Sequence, residues 1–354
     1  MSGYLQQRVE QLPLPDTDIT LGEAGARVRV AVAGGAAAVS ILLPVPVDGI
    51  RAALEGATRL EIDRAGLAPG RLELLQRIHP HAVQPSLEPL PKVRNVIAVG
   101  SGKGGVGKST TAVNLALALA VDGARVGVLD ADVYGPSVPM MLGITGRPES
   151  PDGKSIEPMR AHGVEAMSIG LLVDQDTPII WRGPMATGAL TQMLNDTRWD
   201  SLDYLVVDLP PGTGDIQLTM AQKIPVAGAV IVTTPQEIAT LDARKALKMF
   251  EKVEVPVLGL VENMAVHVCS NCGHAEHVFG TGGGQRMAEQ YGVPLLSSLP
   301  LAAAIRELGD TGTPVVVARP DSREAQAYRR LARQLSARLA LRPRVAQPIS
   351  AALL

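Results

Sequence analysis

Residues 95–111 read NVIAVGSGKGGVGKSTT: a short apolar run, a glycine-rich loop, then residues that continue as STTAVNLALALAVDG (109–123). From Gly102 to Ser109 the loop satisfies the phosphate-binding pattern G-x-x-x-x-G-K-[ST]. No other stretch limits the fold as much, because this pattern works in one setting. A strand must deliver the chain into a turn whose backbone N–H groups close around phosphate oxygens. A helix must then leave with its positive dipole end facing the anion. Gly102, Gly104, Gly105 and Gly107 give the backbone its close approach, with Lys103 and Val106 between them. Lys108 reaches the β- and γ-phosphates of ATP, Ser109 ligates Mg2+, and Thr110 completes the nucleotide-binding loop.

Such a loop needs a sheet, and the chain after residue 94 supplies one. NVIAVG, RVGVLD, YLVVDL, GAVIVTT, VPVLGLV and PLLSSLP are short apolar runs bounded by Gly, Pro or Asp, most of them followed by helical patterns. All-apolar strands alternating with helices mean a parallel sheet covered on both faces, with ligands at the strand ends. The expected fold class is α/β, a mostly parallel doubly wound sheet with a small N-terminal α+β domain. Polar residues stand where strands end. VLDADVYGPS (128–137) carries Asp130 and Asp132. YLVVDLPPGTGD (204–215) places Asp208 after four apolar residues, the form in which a strand-end carboxylate holds magnesium through water, and adds Asp215. VLGLVENM (257–264) ends near Asn263.

The boundaries read as a small domain over 1–79, a proline-rich linker over 80–94 (PHAVQPSLEPLPKVR), an ATPase domain over 95–342 and a tail over 343–354. In the first unit, ARVRVAV and AAVSILL read as strands, DGIRAALEGA as a helix and TRLEID as a further strand. A net charge of −2 gives no general pull toward nucleic acid. The polar start MSGYLQQRVEQ lacks the layout of a signal peptide, and no run of 18 apolar residues predicts a transmembrane helix. Two cysteines in 354 residues make no secreted disulfide framework. Together these features predict a cytoplasmic protein.

GKGGVGKST, LDADVYGPS, WRGPM (181–185), DLPPGTGD, VENM, and CSNCGH followed by FGTGGG together resemble the Mrp/ApbC-type iron–sulfur carrier ATPases over nearly all of 92–340. These belong to the deviant Walker A group with the division-site and partition ATPases. The resemblance implies that Lys103 reaches the nucleotide of a partner subunit in a homodimer. It also implies that Asp132 lies in the first switch, positioning magnesium or water, and that Asn263 contacts the adenine. With Lys108, these residues form the implied catalytic set: Lys103, Lys108 and Asp132. Many members carry an iron–sulfur-assembly-like domain at the N-terminus, often with a T-P-x-C-P turn. Here that region reads LLPVPVDGI (42–50) without cysteine, so scaffolding or partner docking is its expected role.

Cys269 and Cys272, both in VCSNCGH (268–274), are the whole cysteine supply. A cytosolic disulfide is disfavoured by redox poise. A zinc site is a rival, since His274 and His277 could complete a Cys2His2 set within one chain. A four-iron cluster wants four thiolates. Two chains related by a twofold axis supply them, and the Lys103 reading asks for the same dimer. The expected cofactors are ATP, Mg2+ and a bridging 4Fe-4S cluster, with an upstream scaffold and apo iron–sulfur acceptors as partners. A membrane- or partner-positioning ATPase stays open as an alternative. Its support is the helix over 322–344, where Tyr328, Leu331, Leu335 and Leu339 make an apolar stripe with arginines opposite.

Overall fold

A computed structural model describes residues 1–172, 183–269 and 271–345. Trp181 and Arg182 of the WRGPM stretch, Ser270, and tail residues 346–354 lie outside the described residues. The first unit runs α1 (Ser2–Glu10), β1 (Arg27–Ala33), β2 (Ala36–Leu43), α2 (Arg51–Arg64) and β3 (Ala68–Gln76). β1 and β2 form an antiparallel hairpin, and β3 joins β2 in parallel. Alternate residues of β2 are buried, the pattern of a sheet covered on one face. Its inner side chains share a core with Leu5, Val9, Leu54 and Ile62. The expected strand TRLEID is corrected: it is the second half of α2. Leu54, Thr58, Glu61 and Ile62 are buried at helical spacing, and the short polar–apolar alternation fits that face as well as it fits a strand.

The second unit continues as β4 (Val93–Ser101), α3 (Lys108–Val121), β5 (Val126–Asp130), α4 (Val138–Met141), β6 (Met159–Ala161), β7 (Val164–Ser168), α5 (Gly183–Asp196) and β8 (Leu202–Asp208). It then runs α6 (Asp215–Lys223), β9 (Gly228–Thr233), α7 (Glu237–Lys252), β10 (Val257–Val268), β11 (Ala275–Glu276) and α8 (Gly283–Tyr291). It ends with β12 (Leu295–Leu301), α9 (Ala303–Asp310), α10 (Val315–Ala318) and α11 (Arg323–Ala340). The sheet order is β11-β10-β9-β4-β8-β5-β7-β6, with β12 also paired to β10. Only the small edge strands β6 and β11 pair antiparallel.

β4 lies between β8 and β9, so its carboxyl end opens at the middle of the sheet. β5, β8 and β9 are buried throughout and β4 nearly so, because helices cover both faces. On one face Leu115 and Leu119 of α3 meet Leu331 and Leu335 of α11. On the other, Leu190, Met220, Leu247 and Met287 line up along α5 to α8. The β6–β7 hairpin, which the apolar runs did not announce, extends one edge.

The α11 stripe is buried: Tyr328, Leu331 and Leu335 are wholly covered and Leu339 nearly so, against α3 and β12. The stripe packs on the domain, so it lends no support to the membrane-positioning alternative. Ala337 and Ala340, farther along α11, join the core of the first unit. The segment read as a linker is also packed. The His81 backbone N–H donates to Asn95 Oδ1 at 3.1 Å, and its ring Nδ1 is bonded to the same oxygen at 2.9 Å. Gln84 Nε2 donates to the carbonyls of Ala221 and Ile224, both at 3.0 Å. β4 starts at Val93, inside that segment.

Candidate nucleotide and cluster site

The phosphate loop spans the step from β4 to α3. Gly102 is needed for space: a Cβ there would stand 2.1 Å from the carbonyl carbon of Asp242 on α7. Gly107 is needed for conformation as well. Its φ is +80°, and a Cβ would meet Asn263 Nδ2 at 2.2 Å. Gly104 and Gly105 are exposed, and Lys103 is half-buried beside them. Among the described residues Lys103 forms no ion pair. Thr111, two residues beyond the pattern, donates its hydroxyl to the Gly107 carbonyl at 2.8 Å and closes the first turn of α3.

Lys108 is buried at the start of α3. Its Nζ donates to Asp208 Oδ1 at 2.6 Å and to Ser109 Oγ at 3.3 Å, and lies 3.8 Å from Asp132 Oδ2. The register of β5 with β8 sets Asp130 beside Asp208, so strand ends that are distant in sequence bring their carboxylates to one place. Two buried oxygens, Asp208 Oδ2 and Asp132 Oδ1, have no partner within the protein. Unpaired carboxylate oxygens beside a phosphate-loop serine fit a hydrated magnesium ion, which prefers oxygen ligands and keeps several waters. Burial, offset in part by Lys108, raises the Asp132 carboxyl above its usual range.

Asp130 has a different task. One oxygen accepts the N–H of Asp132 at 3.1 Å. The other accepts the N–H groups of Ser137 and Val138, at 3.0 and 3.1 Å, and the Ser168 hydroxyl at 3.1 Å. Its acceptors are thus engaged by the loop that carries Asp132, and its contribution is to shape that loop. Burial, reinforced by the charge of Asp208, pushes Asp130 upward. Asp215 opens α6 and is exposed.

Asn263 donates its amide to the Val106 carbonyl at 2.9 Å, tying β10 to the phosphate loop. It borders a cavity of about 340 Å³ whose lining includes Thr110, Met264, Pro300, Leu301 and Arg306. The size and apolar walls suit a purine base. Sequence reading found Thr110 and Asn263 among these. The signal for the rest was the end of the PLLSSLP strand, since loops at strand carboxyl ends gather around such a site.

Cys269 follows the last residue of β10, and Cys272 lies in the turn beyond it. Cys269 is half-buried and Cys272 exposed. The turn is closed by the Cys269 N–H donating to the His274 carbonyl at 2.9 Å and the Gly273 N–H donating to the Cys269 carbonyl at 2.9 Å. The Cys272 N–H, then the Asn271 N–H and the Cys272 thiol, hold the Cys269 thiol below its ordinary value, which favours the thiolate that binds metal. His277 Nδ1 is bonded to the Ala265 carbonyl at 2.7 Å. Among the described residues no three His, Cys, Asp or Glu side chains converge as a metal site. The rival single-chain Cys2His2 set is not gathered as such a group among the described residues.

A family model described as ParA, NUBPL iron-transfer P-loop NTPase, matches residues 92–336. An iron–sulfur cluster carrier protein of Pseudomonas fragi is 60% identical over 269 residues, covering 75% of this chain and 94% of that one. The iron–sulfur cluster transfer protein NUBPL of mouse is 46% identical over 316 residues, covering 89% and 96%. Among solved structures, a nucleotide-binding protein of Archaeoglobus fulgidus in complex with ADP is 40% identical. It superimposes with a TM-score of 0.56 over 62% of this chain and 87% of that one.

Proposed function

This chain belongs to the NUBPL iron-transfer P-loop NTPases, and from that premise we propose that it carries a labile iron–sulfur cluster between two copies of itself and passes it to apoproteins. ATP hydrolysis, slow and magnesium-dependent, accompanies the cycle. One observation carries the reading: two accessible thiols stand three residues apart at the end of a sheet strand, with no third ligand from the described residues beside them. A cluster needing four thiolates is completed by a second copy. A site half-built by each subunit opens when the subunits part, which suits delivery to acceptors and loading from a scaffold. Free thiols fit a reducing compartment such as the cytoplasm. No described helix is long and apolar enough to cross a membrane.

The surface supports a face-to-face dimer. Tyr134, Met140, Met185, Ile238, Leu241, Val268 and Val278 are large apolar residues left exposed, Ile238 by 66%. The topology puts six of them on loops and helix starts at the carboxyl ends of the parallel strands and Val268 at the end of β10, around the phosphate loop and the cysteines. Exposed apolar residues gathered on one face mark an interaction surface. Lys103 stands among them, and the proposed role for it is contact with the partner's nucleotide.

Anaerobic reconstitution with iron and sulfide tests the reading. We expect about two irons per chain when every site fills, from the four-thiolate arithmetic of a bridging cluster, and transfer to an apo-acceptor. Cys269→Ala and Cys272→Ala should each abolish both while leaving ATP binding intact. One zinc held tightly per monomer, not replaced by iron and sulfide, would instead leave an ATPase with a structural metal.

A further inference from the structure

One strand serves both ends of the chemistry. β10 carries Asn263, bonded to the phosphate loop, and Cys269 follows its last residue. The strand breaks register between Glu262 and Val266, and Met264 within that break has a φ of +58°. A left-handed methionine is uncommon, and backbone held there is characteristic of switches and binding sites. The chain leaves the sheet through the cysteine turn and returns at α8. There the Glu262 carboxylate, buried on the adjacent position of β10, accepts the Gly284 N–H at 2.7 Å. A carboxylate on an unsatisfied N–H in a first helical turn is favoured by both the hydrogen bond and the dipole.

The junction is tight. A Cβ on Gly284 would stand 2.9 Å from Glu262 Cβ, and one on Gly283 would stand 2.3 Å from the Pro235 carbonyl oxygen beyond β9. The glycines of FGTGGG thus let α8 begin wedged between two strand ends. The loop that bears both cysteines is anchored at its departure by Asn263 on Val106 and at its return by Glu262 on Gly284. The His277–Ala265 bond draws its base together.

We propose that Glu262 is a positioning residue that couples nucleotide state to the cysteines: by fixing the amino end of α8 to β10, it makes the cysteine loop follow the strand that touches the phosphate loop. The proposal deepens the carrier reading and rests on its placement of nucleotide at that loop. It assigns Glu262 no contact with nucleotide or cluster.

The test is iodoacetamide alkylation of Cys269 and Cys272 in the cluster-free, full-length protein, with and without magnesium and a slowly hydrolysed ATP analogue. Light scattering ensures that rates are compared between species of the same size. We expect the analogue to change the wild-type rate about fivefold, the lower end of ordinary coupling between sites. Glu262→Ala should remove that change while fluorescent-nucleotide affinity stays within about threefold, since the binding loop itself is untouched. Glu262→Gln, which keeps an acceptor for the Gly284 N–H, should restore it. Gly284→Ala, which crowds the junction from the other side, should weaken it and serves in place of Glu262→Ala if that variant does not fold. A wild-type rate indifferent to nucleotide would overturn the proposal. So would a wild-type response in Glu262→Ala, or nucleotide binding lost together with the response. The measurement involves no iron, so failure of the carrier reading shows separately, in the iron counts.

Discussion

Lys108 faces two carboxylates, Asp208 at 2.6 Å and Asp132 at 3.8 Å, in a pocket almost closed to water. Removing it withdraws the cation meant for phosphate and also leaves a buried charge uncompensated. Lys108→Ala should lower ATP turnover by about 100-fold or more, the scale set by loss of one preorganised electrostatic group. It should also cost about 3 kcal/mol of stability, as breaking one side of a buried pair does. Normal hydrolysis by this variant in a phosphate-release assay would refute the assignment of the loop. Asp132→Asn should lose turnover and largely keep nucleotide. Asp130→Ala tests the division of labour between neighbours. Four donors lose their acceptor, the loop over 132–138 loosens, and turnover should fall although Asp132 remains. Faster amide exchange across that loop, with nucleotide affinity little changed, is the expected companion result.

At the scale of elements, α11 shows why an amphipathic pattern is read by its surroundings. Its arginine-rich face leaves a membrane-surface alternative open, and Leu331 and Leu335 are wholly buried against the sheet's covering layer. Leu335→Ala should cost about 2–5 kcal/mol, the range for opening a cavity in a packed core. Chemical denaturation measures that cost. Co-sedimentation with anionic vesicles should show no binding by the native protein, and binding that depends on the α11 stripe would restore the positioning alternative. α3 illustrates the reverse case. Its sequence is apolar nearly all round, and it is sandwiched between the sheet and α11, with Leu115 and Leu119 in the same core.

At the scale of the molecule, the far end of α3 is where the first unit docks. Asp122, just past that helix, accepts Arg329 Nη2 and Arg333 Nε of α11, each at 2.8 Å. Arg333 also reaches the Gly49 carbonyl at 2.9 Å and pairs with Asp16, while the Asp48 N–H donates to the Asp122 carbonyl at 3.0 Å. The small unit is thus clamped to the tail of the helix whose head follows the phosphate loop. Asp122→Ala strands two arginines that are mostly buried, and a loss of about 3–5 kcal/mol is expected. An unchanged denaturation midpoint would show the clamp to be dispensable. The proposed dimer makes its own prediction. Mixed Lys103→Ala and Lys108→Ala subunits should recover part of the activity, because one composite site regains both lysines. A hybrid as inactive as its parents, with dimerisation verified, would count against Lys103 acting across the interface.

The phosphate loop, the parallel strands and the polar strand ends were legible in the sequence because each is local. A glycine pattern, an apolar run or an aspartate closing it follows from the backbone conformation and burial of that stretch alone. The motifs resembling iron–sulfur carriers were legible for the same reason. Register and packing were not. Asp130 and Asp132 are two residues apart and look equivalent in sequence, and only the folded loop commits one to bracing it while leaving an oxygen of the other unpaired. TRLEID fits a strand and a helical face equally well until the core chooses. Glu262 is one carboxylate among many until α8 returns to it from 22 residues away. Local pattern fixes which residues a segment can bury; which distant groups then share hydrogen bonds depends on how the segments pack, and that is settled only when the whole chain closes on its cores.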